Sequence, residues 1–312
     1  MKKNLIILVF IFTSIWSLTA QQDAQYTQYM YNTLAVNPAY AGSRGVVSLS
    51  GLYRTQWVGL DGAPTTQTFN LHTPVSKRIG IGISIVNDEI GNGTNQDTYF
   101  DAAFSYTIPV SNTKKLSFGL KAGGHFLNID FNRLRNFDSS VNSVAQQNID
   151  KKFSPNFGAG VYYYTETFYA GLSIPNFLQT EHFDISGQNN ATLAQERMNW
   201  YLISGYVFDL NPNIKLKPAV LVKMVPGAPL QADLSATVLL KNKFSLGAAY
   251  RWDAALSALV GFQINEELML GLAYDKEITE LGNISFNSGS FEVFLRYEFR
   301  KRHKNIISPR FF

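Results

Sequence analysis

The chain has 312 residues, 46% hydrophobic and 14% aromatic, with 27 Lys and Arg against 23 Asp and Glu and no cysteine. The lack of thiols excludes a disulfide framework and a lipid anchor attached through cysteine. A formal charge of +4 falls to +2 once Lys2 and Lys3 leave with a leader, and the other basic residues are mostly scattered singly, so nucleic acid is not an expected partner.

Residues 1–20 read as an export signal. Lys2 and Lys3 open it, an apolar run follows over 5–12, and Leu18, Thr19 and Ala20 offer a small-residue cleavage site, so the mature chain is expected to begin at Gln21. Residues 21–45 do not alternate. Gln22, Gln25 and Gln28 with Tyr26, Tyr29 and Met30 come nearer to helical spacing. A short helix ending before Asn37 and Pro38 is one reading, because the residue before proline is pushed out of the α region. That segment would then be periplasmic, under a barrel, or lumenal, inside it. A disordered lead is the other reading.

From residue 46 to residue 299 apolar and polar residues alternate in fourteen short segments, at 46–57, 65–73, 79–87, 96–108, 115–128, 154–164, 167–174, 197–208, 214–224, 230–239, 243–251, 255–264, 267–275 and 290–299. The last is the clearest: Phe291, Val293, Leu295, Tyr297 and Phe299 share one face, while Glu292, Arg296 and Glu298 share the other. One face suits lipid and the other water. Trp57, Tyr106, Trp200, Phe208, Tyr250, Trp252, Tyr274 and Phe299 fall near segment ends, where an interfacial aromatic belt would lie. The mature chain has no run of about 18 apolar residues for a spanning helix. The expected fold is therefore all-β, a transmembrane outer-membrane barrel of about 14 antiparallel strands forming one domain over 46–299.

Connection lengths give an independent indication. With the N-terminus in the periplasm, the inner turns at 74–78, 109–114, 165–166, 209–213, 241–242 and 265–266 are all short, whereas long connections at 88–95, 129–153, 175–196 and 276–289 fall on the outer side. A soluble sandwich would also alternate, but it has no reason to sort its loops this way.

Chemistry is sparse. His72, His125, His182 and His303 lie far apart with no metal-ligand spacing, so no metal or other cofactor is expected. Gly80 with Gly82, and Gly158 with Gly160, lie inside alternating segments with no helix following. They allow curvature or make room for a bulky neighbour rather than cradling phosphate. A lipid-hydrolysing barrel would need an outward histidine beside an outward serine, yet His72 and His125 fall on the polar face by parity. Arg54, Asp101, Lys121, Lys217, Asp233, Arg251, Glu292 and Arg296 fall on the lumen side, to filter solutes or, as we prefer, to bridge one another and close it.

Residues 300–312 form a tail that a barrel ending at Phe299 does not need. It combines Arg300, Lys301, Arg302, Lys304 and Arg310 with Ile306, Ile307, Phe311 and Phe312. It reads as an assembly signal, as a periplasmic docking segment joining charge with aromatic burial, or as a strand extension along the rim.

The block Gln25, Tyr26, Thr27, Gln28, Tyr29, Met30, Tyr31, Asn32, followed by Asn37, Pro38, Ala39, Tyr40, Ala41, Gly42, closely resembles the opening of the PorP/SprF family of Bacteroidota outer-membrane proteins. The resemblance continues through Arg54, Thr55, Gln56, Trp57, Val58 and Gly59 and ends in Ser308, Pro309, Arg310, Phe311 and Phe312. It implies a non-enzymatic role in type IX secretion, supporting export and surface anchoring of cargo that carries a C-terminal sorting domain, such as adhesins of gliding motility. Periplasmic secretion components and outer-membrane lipid are the other implied partners, with Ser308, Pro309, Arg310, Phe311 and Phe312 as partner-binding candidates. A passive channel for small solutes is the alternative function.

Overall fold

The computed structural model describes residues 25–130, 133, 148–178, 198–284 and 286–299. The expected leader over 1–20, the tail over 300–312 with its partner-binding candidates, and most of 129–153 and 175–196 lie outside the described residues.

The alternating segments form β1 (Val47–Thr55), β2 (Thr65–Pro74), β3 (Ile79–Ile90), β4 (Asn95–Pro109), β5 (Lys115–Ile129), β6 (Ile149–Tyr164), β7 (Phe168–Ile174), β8 (Trp200–Tyr206), β9 (Phe208–Asn211), β10 (Ile214–Met224), β11 (Gln231–Leu240), β12 (Phe244–Arg251), β13 (Ala255–Gln263), β14 (Leu268–Glu277) and β15 (Ser290–Phe299). β8 and β9 both pair with β10 and are two pieces of one barrel strand, interrupted at Val207, so the wall has 14 strands. All pair antiparallel. The sheet closes where β1 meets β15, from Val47 opposite Phe299 to Thr55 opposite Phe291. Closure leaves no unpaired edge, the condition for strands in lipid.

The burial pattern is that of a soluble protein turned inside out. On β15, Phe291, Val293 and Leu295 are 44%, 42% and 47% exposed, whereas Glu292, Arg296 and Glu298 are buried. Lipid solvates the outer face, and a charge placed there costs about 2–4 kcal/mol at the bilayer midplane. Connections at 75–78, 110–114, 165–167, 212–213, 241–243 and 264–267 define a short-turn rim. Those at 56–64, 91–94, 130–148, 175–199, 225–230, 252–254 and 278–289 define a long-loop rim.

The sequence misplaces three details. β6 starts at Ile149 rather than 154, because Lys151 is left-handed (φ 44°) and the β5–β6 register shifts between Leu127 and Ile129. Such a bulge breaks the alternation that marks a strand. The expected segment 197–208 is divided at Val207, whose N–H donates to the Thr167 carbonyl at 2.7 Å. Trp57 is not a belt residue on a strand, since β1 stops at Thr55. The indole Nε1–H instead donates to Glu277 Oε1 at 3.2 Å, with Trp57 itself left-handed (φ 46°).

Candidate functional site

The feature that distinguishes the interior of this barrel is what fills it. Residues 25–45 pass through the lumen, where Tyr29, Met30, Leu34, Ala39 and Tyr40 are buried against inward-facing Leu52, Tyr162, Ile203, Leu221, Leu259 and Phe294. Tyr31 stacks on Phe294, the rings 5.2 Å apart and 19° from parallel. Within this plug a single helical turn, Thr33–Val36, ends at Asn37, which turns extended (φ −138°, ψ 110°) because proline follows. The Asn37 side chain then caps the 3-10 turn Pro38–Tyr40, accepting the Ala39 N–H at 2.9 Å, and its Nδ2 donates to the Val161 carbonyl of β6 at 3.1 Å.

This turn lies directly on the wall at two glycines. A Cβ at Gly119 would sit 2.1 Å from the Ala39 nitrogen, and one at Gly160 would sit 2.1 Å from Asn37 Oδ1. Of the two sequence readings for Gly160, room for a neighbour is the one the packing satisfies. Hydrogen bonds to other strands fix the backbone around the turn. Ser173 Oγ donates to the Val36 carbonyl at 2.9 Å, Ser105 Oγ donates to the Ala41 carbonyl at 2.7 Å, and the Gly42 N–H donates to His72 Nδ1 at 3.1 Å.

Charge fastens both ends of the plug. Toward the long-loop rim, the N–H groups of Thr27 and Gln28 donate to the two Glu292 carboxylate oxygens at 2.9 and 2.8 Å, and Thr27 Oγ1 donates to Asp275 Oδ2 at 2.6 Å. Arg54 Nη1 joins the same group, 2.8 Å from Thr27 Oγ1 and 2.6 Å from Asp275 Oδ2. Beside it, Arg251 donates to Asp233 at 2.7 Å and to Gln25 Oε1 at 3.0 Å. Toward the short-turn rim, Arg44 pairs with Glu298. The plug therefore runs from the long-loop rim at Gln25 down to the short-turn rim at Arg44, antiparallel to β1, which follows it.

Burial raises the Tyr26 and Tyr29 phenols above their ordinary range, so both stay neutral and act through ring packing and hydrogen bonding. For Arg44, burial works against the charged form, but Glu298 beside it holds the guanidinium above its ordinary value. The Lys217 ammonium sits over the Tyr31 ring, 5.2 Å from its centroid.

The structure brings Asn37, Pro38, Ala39, Tyr40 and Gly42 together in the lower lumen, and it places Arg54 and Trp57 near the opposite end. The inward charges form bridges, among them Lys121 with Asp101 at 2.6 Å and Arg54 with Asp275 at 2.6 Å. Sequence reasoning put Glu298 on the water-facing side of its strand, but it missed Arg44 and Asp275 as lumen residues and did not see Phe294 as a plug contact. Phe294, Leu52 and Leu221 carried a usable signal, because each is apolar at a position whose parity points into a polar lumen.

The chain matches the family model for the type IX secretion system membrane protein PorP/SprF over residues 18–297. No curated protein matches it. Among solved structures it is similar to the P. putida toluene transporter TodX, with a TM-score of 0.50 and 9% identity over 88% of this chain and 95% of that one. It is also similar to the Acinetobacter baumannii outer membrane protein Omp33, with a TM-score of 0.47 and 9% identity over 81% and 98% of the two chains. For a Pseudomonas aeruginosa FadL homologue the TM-score is 0.45, with 13% identity over 86% and 94%. At such identities the likeness is one of fold. Barrel and family together locate the protein in the outer membrane. The chain belongs to the PorP/SprF family of type IX secretion system membrane proteins.

Proposed function

We propose that this barrel is a non-enzymatic accessory of type IX secretion that supports export of a cargo protein with a C-terminal sorting domain and anchors it at the cell surface, as for an adhesin of gliding motility. The observation that carries this reading is the plug. A lumen crossed from rim to rim by the chain's own segment, which buried ion pairs fasten at both ends, suits a rigid base better than an open conduit. In this reading residues 1–20 are the export signal, the long-loop rim faces outward, and the loops over 129–153 and 175–196 hold cargo. The short-turn rim faces the periplasm, where Ser308, Pro309, Arg310, Phe311 and Phe312 are offered to secretion components.

The test is purification of the tagged protein from native membranes with identification of what accompanies it. A large secreted protein ending in a sorting domain is the expected companion. Recovery of the barrel alone, together with a large steady conductance in a planar bilayer, would instead make it a channel for small solutes.

A further inference from the structure

Near its Arg44 end the plug encloses, together with β1, β2 and β15, a small cavity of about 10 Å³, room for a single small guest. Tyr40 and Arg44 of the plug line it opposite Ser48 and Ser50 of β1, His72 of β2 and Arg296 of β15. Every one of these side chains can donate a hydrogen bond. His72 is a donor because its Nδ1 accepts the Gly42 N–H, and a neutral imidazole then carries its proton on Nε2. Among the described residues no carboxylate lines the cavity.

The charge around it points the same way. Glu298 pairs with Arg44 and lies 3.6 Å from Arg296 Nε, and it is the carboxylate that acts on both guanidiniums. The buried Lys217 ammonium and the Arg296 guanidinium both lie over the Tyr31 ring, 5.2 and 5.7 Å from its centroid. A guanidinium does not give up its proton. This part of the lumen therefore holds at least one positive charge more than Glu298 offsets, whatever the state of Lys217. A buried charge that nothing offsets is costly.

Asn70 of β2 also borders the cavity. Its amide bonds to that of Asn32 in the plug, and each amide keeps one end without a hydrogen-bond partner among the described residues. Such a pair works in either sense, and an anion selects the one that turns Asn70 Nδ2 toward it. A water would fit the same space but leave the charge as it is.

We propose that a chloride ion binds in this cavity, held by Arg44 of the plug and by Arg296, Ser50 and His72 of the wall. A diffusible anion then completes the fastening of the plug's lower end. Salt acts here against its usual direction, since screening weakens exposed ion pairs whereas chloride tightens this seat. The inference goes beyond the function proposed above and holds whether or not the barrel carries a cargo.

In the test, the purified barrel in detergent is unfolded in urea, with tryptophan fluorescence as the readout, while sodium chloride replaces sodium gluconate at constant ionic strength. Gluconate is too large for the cavity. Raising chloride to about 0.3 M, ten times a dissociation constant of about 30 mM, should raise the ratio of folded to unfolded protein about tenfold. Ser50→Val fills the cavity without changing its charge and should erase that dependence. Crystals of the parent protein grown in sodium bromide should show an anomalous peak between Arg44 and Arg296, a measurement that stands even if the valine variant fails to fold. Stability indifferent to chloride, a dependence that survives Ser50→Val, or a cavity without bromide would each overturn the proposal.

Discussion

Asn37 of the plug occupies the space that a side chain at position 160 would fill, its Oδ1 lying 2.1 Å from where a Gly160 Cβ would be built. The relationship couples two residues far apart in sequence and makes the plug's seat depend on a missing methyl group. Gly160→Val should therefore displace the turn at Pro38–Tyr40 and cost about 1–3 kcal/mol, as overpacking does. Asn37→Ala at the same seat removes the bonds to Ala39 and Val161 and should cost a comparable amount. Urea unfolding in vesicles, followed by tryptophan fluorescence, measures both. A double variant no worse than the worse single one would show that they act on one contact.

Arg54 offers a sharper test because it works through one nitrogen. Nη1 meets Thr27, Asp275 and Glu292, while Nε and Nη2 are buried with no hydrogen-bond partner among the described residues. Arg54→Ala leaves two buried carboxylates without their cation and should destabilise the barrel by about 3–5 kcal/mol. Arg54→Lys keeps one positive donor and leaves no nitrogen stranded, so it should retain most of the stability. Equal losses for the two variants in the same unfolding assay would contradict this account.

The plug also predicts an electrical phenotype. The intact protein should show no large steady current in a planar bilayer, and deletion of residues 25–43 should introduce one while lowering the temperature at which the folded band is lost on gels. Silence in both forms would mean that something else blocks the lumen.

Orientation follows from the sorting of short and long connections. Ser140→Cys, in the loop expected outside, should react with an impermeant maleimide on intact cells, and Ser308→Cys should react only after the outer membrane is permeabilised. The reverse pattern would exchange the cargo and periplasmic faces.

The wall was legible because period-two alternation survives wherever one face meets lipid and the other a polar lumen, as at Phe291 to Phe299. The alternation was lost where backbone geometry intervenes, at Lys151 and Val207. The plug was harder to read, since a segment with one helical turn and one 3-10 turn has no period. Its seat was written instead into exceptions along the strands: Gly119 and Gly160 where a side chain was due, and Phe294 where a polar residue was due. A single strand's pattern does not reveal what such exceptions face, because the contacts join residues 80 or more positions apart.

β15 carries carboxylates that hold the plug at both ends, with Glu292 receiving the N–H groups of Thr27 and Gln28 near one rim and Glu298 pairing with Arg44 near the other. It is also the strand whose pairing with β1 completes the ring. The strand that closes the ring is therefore also the one that bolts the plug at both ends, and the plug cannot be withdrawn from the closed ring without breaking charge contacts near both rims.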